Sequence, residues 1–407
     1  MKAGALVRHS FLNLFRNKRR TIMILFILGA SMAIIFVTNC YLAQMYRGMR
    51  MGYISQTGAL QIARKGFWDL RREGDLLMDG AAIAAVTELL RGQSEVARVN
   101  EELSLQGMIG TEKRSTIVNG MGVQPDKQGG YAGYILVDKG STLDAQDLEG
   151  ILIGKPIAEK LGLDVGEYVT IMTTTVDGTM NLVSARIAGI VTTGIDQADA
   201  YFSAANLSFI QELRNTKGID RLLVFLRDEG DLKALRIRLE ARIASLGLGL
   251  EIKTWEDLNP FYFELKSLYD GIFLFIKAII SVLVFLAVME IISMSFFERF
   301  RELGTLRAIG NTRGEILLIL LVEVMLYSTV GAALGAGIGV GIASILNGFN
   351  LSWTPPGSST PVPFGFFIRA ESITVPLLII FVASILAAIV PAIRSARNQV
   401  AEVLKYE

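Results

Sequence analysis

The chain has 407 residues, of which 51% are hydrophobic and only 19% are charged, against roughly 25% charged residues in an ordinary globular protein. This composition favours a membrane protein. The 40 Lys and Arg residues nearly balance the 39 Asp and Glu residues, so no excess of positive charge indicates nucleic-acid binding. The single cysteine (Cys40) and single histidine (His9) exclude a disulfide framework, a Cys/His zinc site and a triad that needs a second imidazole.

Four apolar stretches are long enough to cross a membrane. A helix rises about 1.5 Å per residue and the hydrocarbon core is about 30 Å thick, so a spanning helix needs roughly 20 apolar residues. The first stretch is longer than the apolar region of a signal peptide, and no A-x-A-like cleavage site follows it, which favours an uncleaved anchor. We predict spans at 21–45, 269–297, 316–347 and 373–394.

Lys and Arg residues predict which side of the membrane each segment occupies. They are concentrated in an N-terminal basic amphipathic segment (1–20), in the link between the second and third spans (298–315) and in the C-terminal tail (395–407). The loop between the third and fourth spans (348–372) carries only Arg369. Cytoplasmic segments carry the excess of Lys and Arg. Both termini are therefore expected in the cytoplasm, and residues 46–268 outside it.

The segment 46–268 is long enough to fold as a domain of its own. Alternating apolar residues predict short strands, and apolar spacings of three and four predict helices between them. The strands are expected at 60–62, 114–123, 168–173, 182–191, 221–226 and 251–253, and the helices at 81–90, 156–161 and 232–243. The fold class is thus an α-helical membrane protein with four transmembrane helices and a large α+β extracytoplasmic domain between helices 1 and 2.

No catalytic, metal or cofactor site emerges in this domain. Asp144, Asp147 and Glu149 cluster without the spacing of a calcium loop, which favours solvated turn residues. The string from Gly150 to Pro156 resembles a phosphate loop, but its spacing is one residue short and Pro156 stands where Ser or Thr must hold magnesium. We expect no catalysis by this domain.

The link after the second span predicts a short amphipathic helix from Glu298 to Gly310. Its apolar side chains repeat at helical spacing and its charged side chains face elsewhere, which suits either a membrane-surface turn or a docking helix. Thr312 and Glu315 have the S/T-x-x-E spacing of a capping box, which would begin the third span.

Three further features lie within or between the spans. Glu290 and Glu323 are intramembrane carboxylates, suited to an interhelical hydrogen bond or to a proton-coupled or gating role. Gly331, Gly335 and Gly339 have the spacing of a close helix contact, either within one copy or at a dimer interface. A stiff proline-rich loop between the third and fourth spans either lines a cargo entrance or braces the connection between these two helices. Its candidate residues are Trp353, Pro355, Pro356, Pro361 and Pro363.

Several segments resemble one family of transport proteins. ERFRELGTLRAIGNTRGEI (298–316) is similar to the coupling helix of FtsX-like ABC-transporter permeases, the superfamily that includes MacB and the lipoprotein-releasing LolC/LolE-type permeases. The segment TGALQIARKGF (57–67) resembles the first outer strand of the Lol branch. The basic start LFRNKRRT (14–21), GILIGKPIAEKLGLDVGEYVTI (150–171) and the ending PAIRSARNQVAEVLKYE (391–407) also look like that superfamily.

The resemblance implies a non-catalytic membrane subunit with a mechanical role and a MacB-like periplasmic core domain. A separate cytoplasmic ATPase would bind ATP and Mg and dock on the coupling helix, and a second permease copy or a related permease would complete a dimer in the inner membrane. The docking residues would be Glu298, Arg299, Arg301, Glu302, Leu303, Gly304, Arg307, Gly310 and Arg313.

The resemblance leaves the transported substrate open. Its leading implication is extraction of a lipoprotein or other hydrophobic cargo toward a periplasmic carrier. The alternatives are MacB-like efflux of a drug, peptide or toxin with an adaptor and an outer-membrane tunnel, and FtsX-like signalling to a cell-wall hydrolase.

Overall fold

The computed structural model describes residues 18–69, 76–125, 135–227, 232–298, 305, 312–354, 358 and 360–397. The chain divides into two compact units. The helical unit comprises Met1–Arg47, Leu265–Leu351 and Pro363–Glu407, and the outer unit comprises Gly48–Glu264 and Ser352–Val362.

The secondary structure alternates short strands and helices between long apolar helices. In chain order the elements are α1 (Lys18–Thr57), β1 (Leu60–Arg64), α2 (Gly80–Arg91), β2 (Val96–Gly110), β3 (Ser115–Val123), β4 (Leu136–Gly140), β5 (Gly150–Gly154), α3 (Lys155–Leu161), β6 (Tyr168–Thr174), β7 (Met180–Thr192), α4 (Asp196–Asp199), β8 (Phe202–Asn206), α5 (Leu207–Leu213), β9 (Arg221–Leu226), α6 (Leu232–Ser245), β10 (Leu250–Thr254), α7 (Trp255–Leu258), α8 (Pro260–Glu298), α9 (Arg313–Gly348), β11 (Ser352–Trp353), β12 (Val362–Pro363) and α10 (Glu371–Arg397).

Four helices in the described chain, α1, α8, α9 and α10, are long and apolar enough to cross a membrane. They pack around one apolar core, to which α1 contributes Leu28, α8 contributes Val288, α9 contributes Tyr327 and α10 contributes Ile380. Because lipid is as apolar as these side chains, the packing depends on close fit and on polar contacts between helices. The predicted four-span architecture is confirmed.

Two of these helices continue well beyond their apolar segments. Helix α1 runs without a break to Thr57, past the predicted end of the first span at 45, and α8 begins at Pro260, before the predicted start of the second span at 269. At about 1.5 Å per residue, helices of 40 and 39 residues are each about 60 Å long, twice the hydrocarbon thickness.

The outer unit is built on one sheet whose strand order is β10-β1-β9-β2-β3-β8-β5-β7-β4, with β6 pairing β2 and β7. Strand β2 is long enough to pair with different strands along its two parts. Its first part pairs with β9 as far as Glu102 opposite Arg221, and its second part pairs with β3 from Leu103 opposite Gly122 onward. One 15-residue strand thereby joins two smaller sheets.

Helices α2, α3, α5 and α6 cover one apolar core of the outer unit. Val86, Ile157, Ile210 and Leu239 come from these helices, and all four are at most 1% exposed. Helix α3 ends at the predicted 161 but begins at Lys155, one residue before the predicted start, with Pro156 in its first turn and Gly162 after its end in the left-handed conformation (φ +70°). The α+β class predicted for this segment is confirmed.

Candidate functional site

One arginine joins three membrane helices near the start of α1. Arg20 Nη1 donates to Oε2 of Glu298, the last residue of α8, at 3.4 Å, and Nη2 donates to Oε1 of Glu323 in α9 at 3.3 Å. The side chains of Arg20 and Glu323 are 10% and 5% exposed, whereas that of Glu298 is 41% exposed. Buried charges are stable only when they are paired, so this arginine links the start of α1 to the end of α8 and to the interior of α9.

The surroundings of this ion pair are tight and mostly apolar. A cavity of about 10 Å³ between Arg20, Ile24, Ile292, Glu323 and Tyr327 has room for about one water molecule. The hydroxyl groups of Thr21 and Tyr327 lie 3.5 Å apart in the same region and add a polar contact between α1 and α9. Of the two predicted intramembrane carboxylates, Glu323 therefore forms an interhelical ion pair, whereas Glu290 is exposed on α8.

The glycine stripe of α9 lies against α1 of the same chain. A Cβ atom on Gly331 would lie 2.7 Å from Cβ of Leu28, one on Gly335 would lie 2.3 Å from the carbonyl oxygen of Gly29, and one on Gly339 would lie 2.7 Å from Cδ1 of Phe36. These distances are shorter than real Cβ contacts. The glycines therefore permit the close approach of the two helices, within one copy.

The predicted capping box at the start of α9 is confirmed. The Thr312 hydroxyl accepts from the backbone N–H of Glu315 at 3.3 Å, and the Glu315 carboxylate accepts from the backbone N–H of Thr312 at 2.9 Å. Arg313 is the first residue of the helix. The other predicted docking residues apart from Glu298, namely Arg299, Arg301, Glu302, Leu303, Gly304, Arg307 and Gly310, lie outside the described residues.

The proline-rich loop is anchored within the outer unit. Ser358 Oγ donates to the carbonyl oxygen of Gly194 at 2.7 Å, at the turn between β7 and α4. Gly194 has φ +87°, and a Cβ atom there would lie 2.5 Å from the Thr360 hydroxyl oxygen. Of the five predicted loop residues, Trp353, Pro361 and Pro363 are exposed, and Pro355 and Pro356 lie outside the described residues.

An aromatic cluster packs the end of α1 against the start of α8, within the outer unit. Trp255 is 2% exposed, and its ring lies 6.5 Å from that of Tyr53 and 5.1 Å from that of Tyr262. The Arg50 guanidinium lies 5.9 Å from the Trp255 ring centroid, which is cation–π distance. Sequence reasoning missed this cluster and the role of Arg20, because the partners are far apart in the chain.

Two family models match this chain. Residues 21–242 match the model described as the MacB-like periplasmic core domain, and residues 272–400 match the model described as the FtsX-like permease C-terminal region. The first match alone covers more than half of the 407 residues. The chain belongs to the FtsX-like and MacB-like permease family.

Similar proteins include permeases of different transport systems. The lipoprotein-releasing system transmembrane protein LolC of Xylella fastidiosa is 24% identical over 63% of this chain and 65% of its own length. The macrolide export ATP-binding/permease protein MacB of Bdellovibrio bacteriovorus is 24% identical over 63% of this chain and 38% of its own length. The chain therefore spans less than two thirds of the length of these relatives.

A solved structure, the periplasmic region of MacB from Actinobacillus actinomycetemcomitans, matches 50% of this chain and 91% of that chain at 13% identity with a TM-score of 0.37.

Family membership and the four long apolar helices together place the chain among the multi-pass membrane proteins of the FtsX-like and MacB-like permease family. Of the two relatives, MacB is an ATP-binding/permease protein, whereas LolC is the transmembrane protein of a lipoprotein-releasing system. Among the described residues, no three His, Cys, Asp or Glu side chains form a group that could hold a metal ion.

Proposed function

We propose that this permease releases a lipoprotein or another hydrophobic cargo from the outer leaflet of the inner membrane to a periplasmic carrier. A separate cytoplasmic ATPase binds ATP and Mg and supplies the energy. The permease is a dimer of two copies, or of this chain and a related one. Both termini and the segment 298–315 face the cytoplasm, which the distribution of Lys and Arg residues supports.

The observation that carries this proposal is the continuity of α1 and α8. Each is one unbroken helix, and together they lead into and out of the outer-unit segment between them. A continuous helix transmits a displacement along its axis without a hinge, because its backbone hydrogen bonds run along its whole length. Arg20 attaches the end of α1 to Glu298, the residue at which the predicted docking segment begins. A movement of the ATPase would therefore reach α1 and α8 together.

The exposed surface of α8 supports a second subunit. Leu274, Phe275 and Leu283 are each at least 59% exposed on this helix. A membrane helix with so little of its surface packed inside its own chain has a large face available to lipid or to another helix. We infer that this face contains the dimer contact.

The identity of the cargo rests on relatives rather than on a pocket. LolC, named as a lipoprotein-releasing protein, is similar over 271 residues, which supports a lipoprotein. MacB, named as a macrolide exporter, is similar over the same number of residues at the same identity, which supports efflux of a small molecule or peptide as the second candidate.

Reconstitution tests the proposal. The permease and the ATPase that co-purifies with it are placed in proteoliposomes with a fluorescent triacylated lipoprotein, and a purified lipoprotein carrier is added outside. We expect ATP-dependent transfer of fluorescence to the carrier. An ATPase variant that binds but does not hydrolyse ATP is the control.

Two other outcomes distinguish the alternatives. ATP-dependent export of a macrolide, with no transfer of lipoprotein, would replace the proposal by the second candidate. Absence of any ATP-dependent transfer, together with tight binding of a cell-wall hydrolase, would contradict transport and favour signalling.

A further inference from the structure

Two arginines of the helical unit lie against one phenylalanine ring. The Cζ atom of Arg47, in α1, is 4.5 Å from the centroid of the Phe367 ring, and the Cζ atom of Arg369, just before α10, is 5.2 Å from the same centroid. Both are cation–π distances. The ring thus holds two guanidinium groups near each other, although they come from parts of the chain more than 300 residues apart.

The segment that carries the ring is attached to two membrane helices. The Phe367 N–H donates to the carbonyl oxygen of Cys40 in α1 at 3.0 Å. The Phe366 N–H donates to Asn347 Oδ1 in α9 at 2.8 Å, and Asn347 Nδ2 donates to the Phe366 carbonyl oxygen at 2.9 Å. Because the backbone around the ring is held on both sides, little conformational entropy is lost when a ligand orders the groups at this ring.

The distribution of charge along the helices places the two arginines at the level of the lipid headgroups. Arg20 lies at one end of the first span, and residues 21–46 between it and Arg47 carry no charge. At about 1.5 Å per residue these two arginines are about 40 Å apart along α1, and a bilayer with its headgroup layers is about 40–45 Å thick. Residues 372–393 of α10 are also uncharged, and Arg369 lies just before that helix.

The charge around the ring is positive overall. In the described part of the chain, no carboxylate lies within ion-pair distance of Arg47. Glu371 Oε2 is 3.9 Å from Arg369 Nη1, and both side chains are largely exposed, so this pair is weak. The nearby pair of Lys266 and Asp270, in α8, adds no net charge. Two cations beside one loosely held carboxylate repel each other and favour an anionic ligand.

The anion that every phospholipid supplies at this level of a bilayer is a phosphate group. A guanidinium group matches phosphate, with N–O distances of about 2.7–2.9 Å, and is more weakly hydrated than an ammonium group. One phosphate has oxygens on several sides, so it can accept hydrogen bonds from both arginines. A headgroup without a positive charge of its own, such as that of phosphatidylglycerol, avoids repulsion by the two guanidinium groups and should bind better than phosphatidylethanolamine.

We propose that Arg47, Arg369 and Phe367 form a binding site for the phosphate of one anionic phospholipid. In the orientation proposed above, on which only the choice of leaflet rests, this lipid belongs to the outer leaflet. The site joins α1 to the segment that leads into α10, so a bound lipid holds these two elements at one level of the membrane surface. Neither the ATPase nor the cargo takes part in this binding.

Native mass spectrometry of the full-length chain in detergent measures the binding. The probe is dioleoylphosphatidylglycerol, and dioleoylglycerol, which lacks the phosphate, is the matched control lipid. Inorganic phosphate is tested separately, because it distinguishes a lipid site from a site for a free anion. We expect one phosphatidylglycerol per chain at the lowest lipid concentrations, binding of dioleoylglycerol about 25-fold weaker, since each arginine near the surface contributes about fivefold, and no binding of inorganic phosphate at millimolar concentration.

Removal of each charge localises the site. Arg47→Gln and Arg369→Gln should each weaken the binding of phosphatidylglycerol about fivefold, and the double variant should weaken it about 25-fold. Arg47→Lys keeps the charge but not the planar fork, so it should weaken binding only about twofold. Arg19→Gln removes an exposed charge near the opposite end of α1 and is the matched control, for which we expect unchanged binding.

The role of the ring in positioning the two arginines is tested with Phe367→Leu. Leucine keeps an apolar side chain but has no π face, so both guanidinium groups lose their cation–π contact and binding should weaken about threefold. Phe349→Leu, at a ring that is 68% exposed just after the end of α9, is the matched control and should have no effect.

Thermal unfolding separates loss of the site from loss of the fold. Arg47 and Arg369 are exposed, so their Gln variants should unfold at the same midpoint as the unmodified chain in lipid-free detergent. Added phosphatidylglycerol should raise the midpoint of the unmodified chain more than that of the double variant, because a ligand stabilises the folded state that binds it. An equal rise in both would contradict the proposal.

Other results would also overturn it. These are equal binding of phosphatidylglycerol and dioleoylglycerol, undiminished binding by the double variant, and an equal loss in Arg19→Gln and Arg47→Gln, which would indicate unselective attraction to positive charge. Binding of inorganic phosphate as tight as that of the lipid would assign the site to a free anion. Failure of lipoprotein transfer by the unmodified complex contradicts the proposed function, whereas normal transfer without selective lipid binding contradicts only this site.

Discussion

Arg20 and Glu323 form a buried ion pair between the first and third membrane helices, with Nη2 and Oε1 3.3 Å apart. The same guanidinium reaches Glu298 at the end of α8. A lone carboxylate in an apolar helix bundle would be costly in free energy. Pairing with Arg20 offsets this cost for Glu323. Together the two contacts of Arg20 link the start of α1 to the interior of α9 and to Glu298, the residue at which the predicted docking segment begins.

Replacing Arg20 by Gln should destabilise the helical unit by about 3 kcal/mol, because it removes the cation from a buried carboxylate. Thermal unfolding of the purified chain in detergent measures the change. Arg19→Gln, at the exposed neighbouring position, should change stability by less than about 0.5 kcal/mol. In the double variant Arg20→Gln/Glu323→Gln, part of the stability lost in Arg20→Gln should be recovered. If the stability effects of the two single substitutions simply add in the double variant, the direct pairing is contradicted.

Gly335→Ala should loosen the packing of α9 on α1. Its new Cβ would lie 2.3 Å from the Gly29 carbonyl oxygen, so the two helices must separate, at a cost of about 1–3 kcal/mol. Gly337→Ala is the matched control, because nothing lies within 4 Å of a Cβ there. Thermal unfolding in detergent should show a lower midpoint for the first variant only. Equal midpoints would refute the close contact.

The capping box should stabilise the first turn of α9. Thr312→Ala removes the hydroxyl that accepts from the Glu315 backbone, which costs about 1 kcal/mol and should increase amide hydrogen exchange near Glu315 about fivefold. Thr374→Ala serves as the comparison, since that hydroxyl donates to a carbonyl of α10 and caps no N–H group. An unchanged exchange rate in Thr312→Ala would show that the cap is not formed in solution.

The surface pair of Glu95 and Arg238 should titrate in a defined acidic range. The pKa of Glu95 is lowered from 4.5 to about 2, first by the hydrogen bond from Arg238 and then by hydrogen bonds from the backbone N–H of Glu95 itself and from the Ser94 hydroxyl. Because the folded-state pKa is depressed, the pair contributes stability above pH 4.5, and this contribution is lost as the pH falls toward about 2.

Carbon NMR of selectively labelled Glu side chains measures this pKa directly. In Arg238→Gln the Glu95 pKa should rise toward 4.5, whereas Arg242→Gln, on the same helix, should leave it unchanged. A Glu95 pKa near 4.5 in the unmodified chain would contradict the pairing.

Local patterns in the sequence predict those parts of the molecule that depend on neighbouring residues. The four spans follow from apolar length, the capping box from the spacing of Thr312 and Glu315, and α3 from Pro156 and Gly162 at its two ends. Each of these features involves residues of a single element, so the sequence shows it as a repeating apolar pattern or as characteristic residues at the ends of a helix.

Other features depend on contacts between distant residues. Strand β2 has no single alternation, since its two parts pair with different strands and face different surroundings. Strand β5 is buried at all five positions, and its glycines resemble a phosphate loop when considered alone. Arg20 and Glu323 are 303 residues apart. No spacing rule joins such residues.

The most direct test of the central claim, that this permease is driven by a separate ATPase docked on residues 298–315, is co-purification. The tagged chain is isolated from its native membrane in mild detergent, and the bound proteins are identified by mass spectrometry. An ABC ATPase should be present with the unmodified chain and with Glu112→Lys/Lys113→Glu, an exposed charge exchange in the outer unit. It should be lost with the charge exchange Arg301→Glu/Glu302→Arg. Absence of any ATPase from the unmodified chain, or undiminished ATPase in the latter variant, would contradict the account.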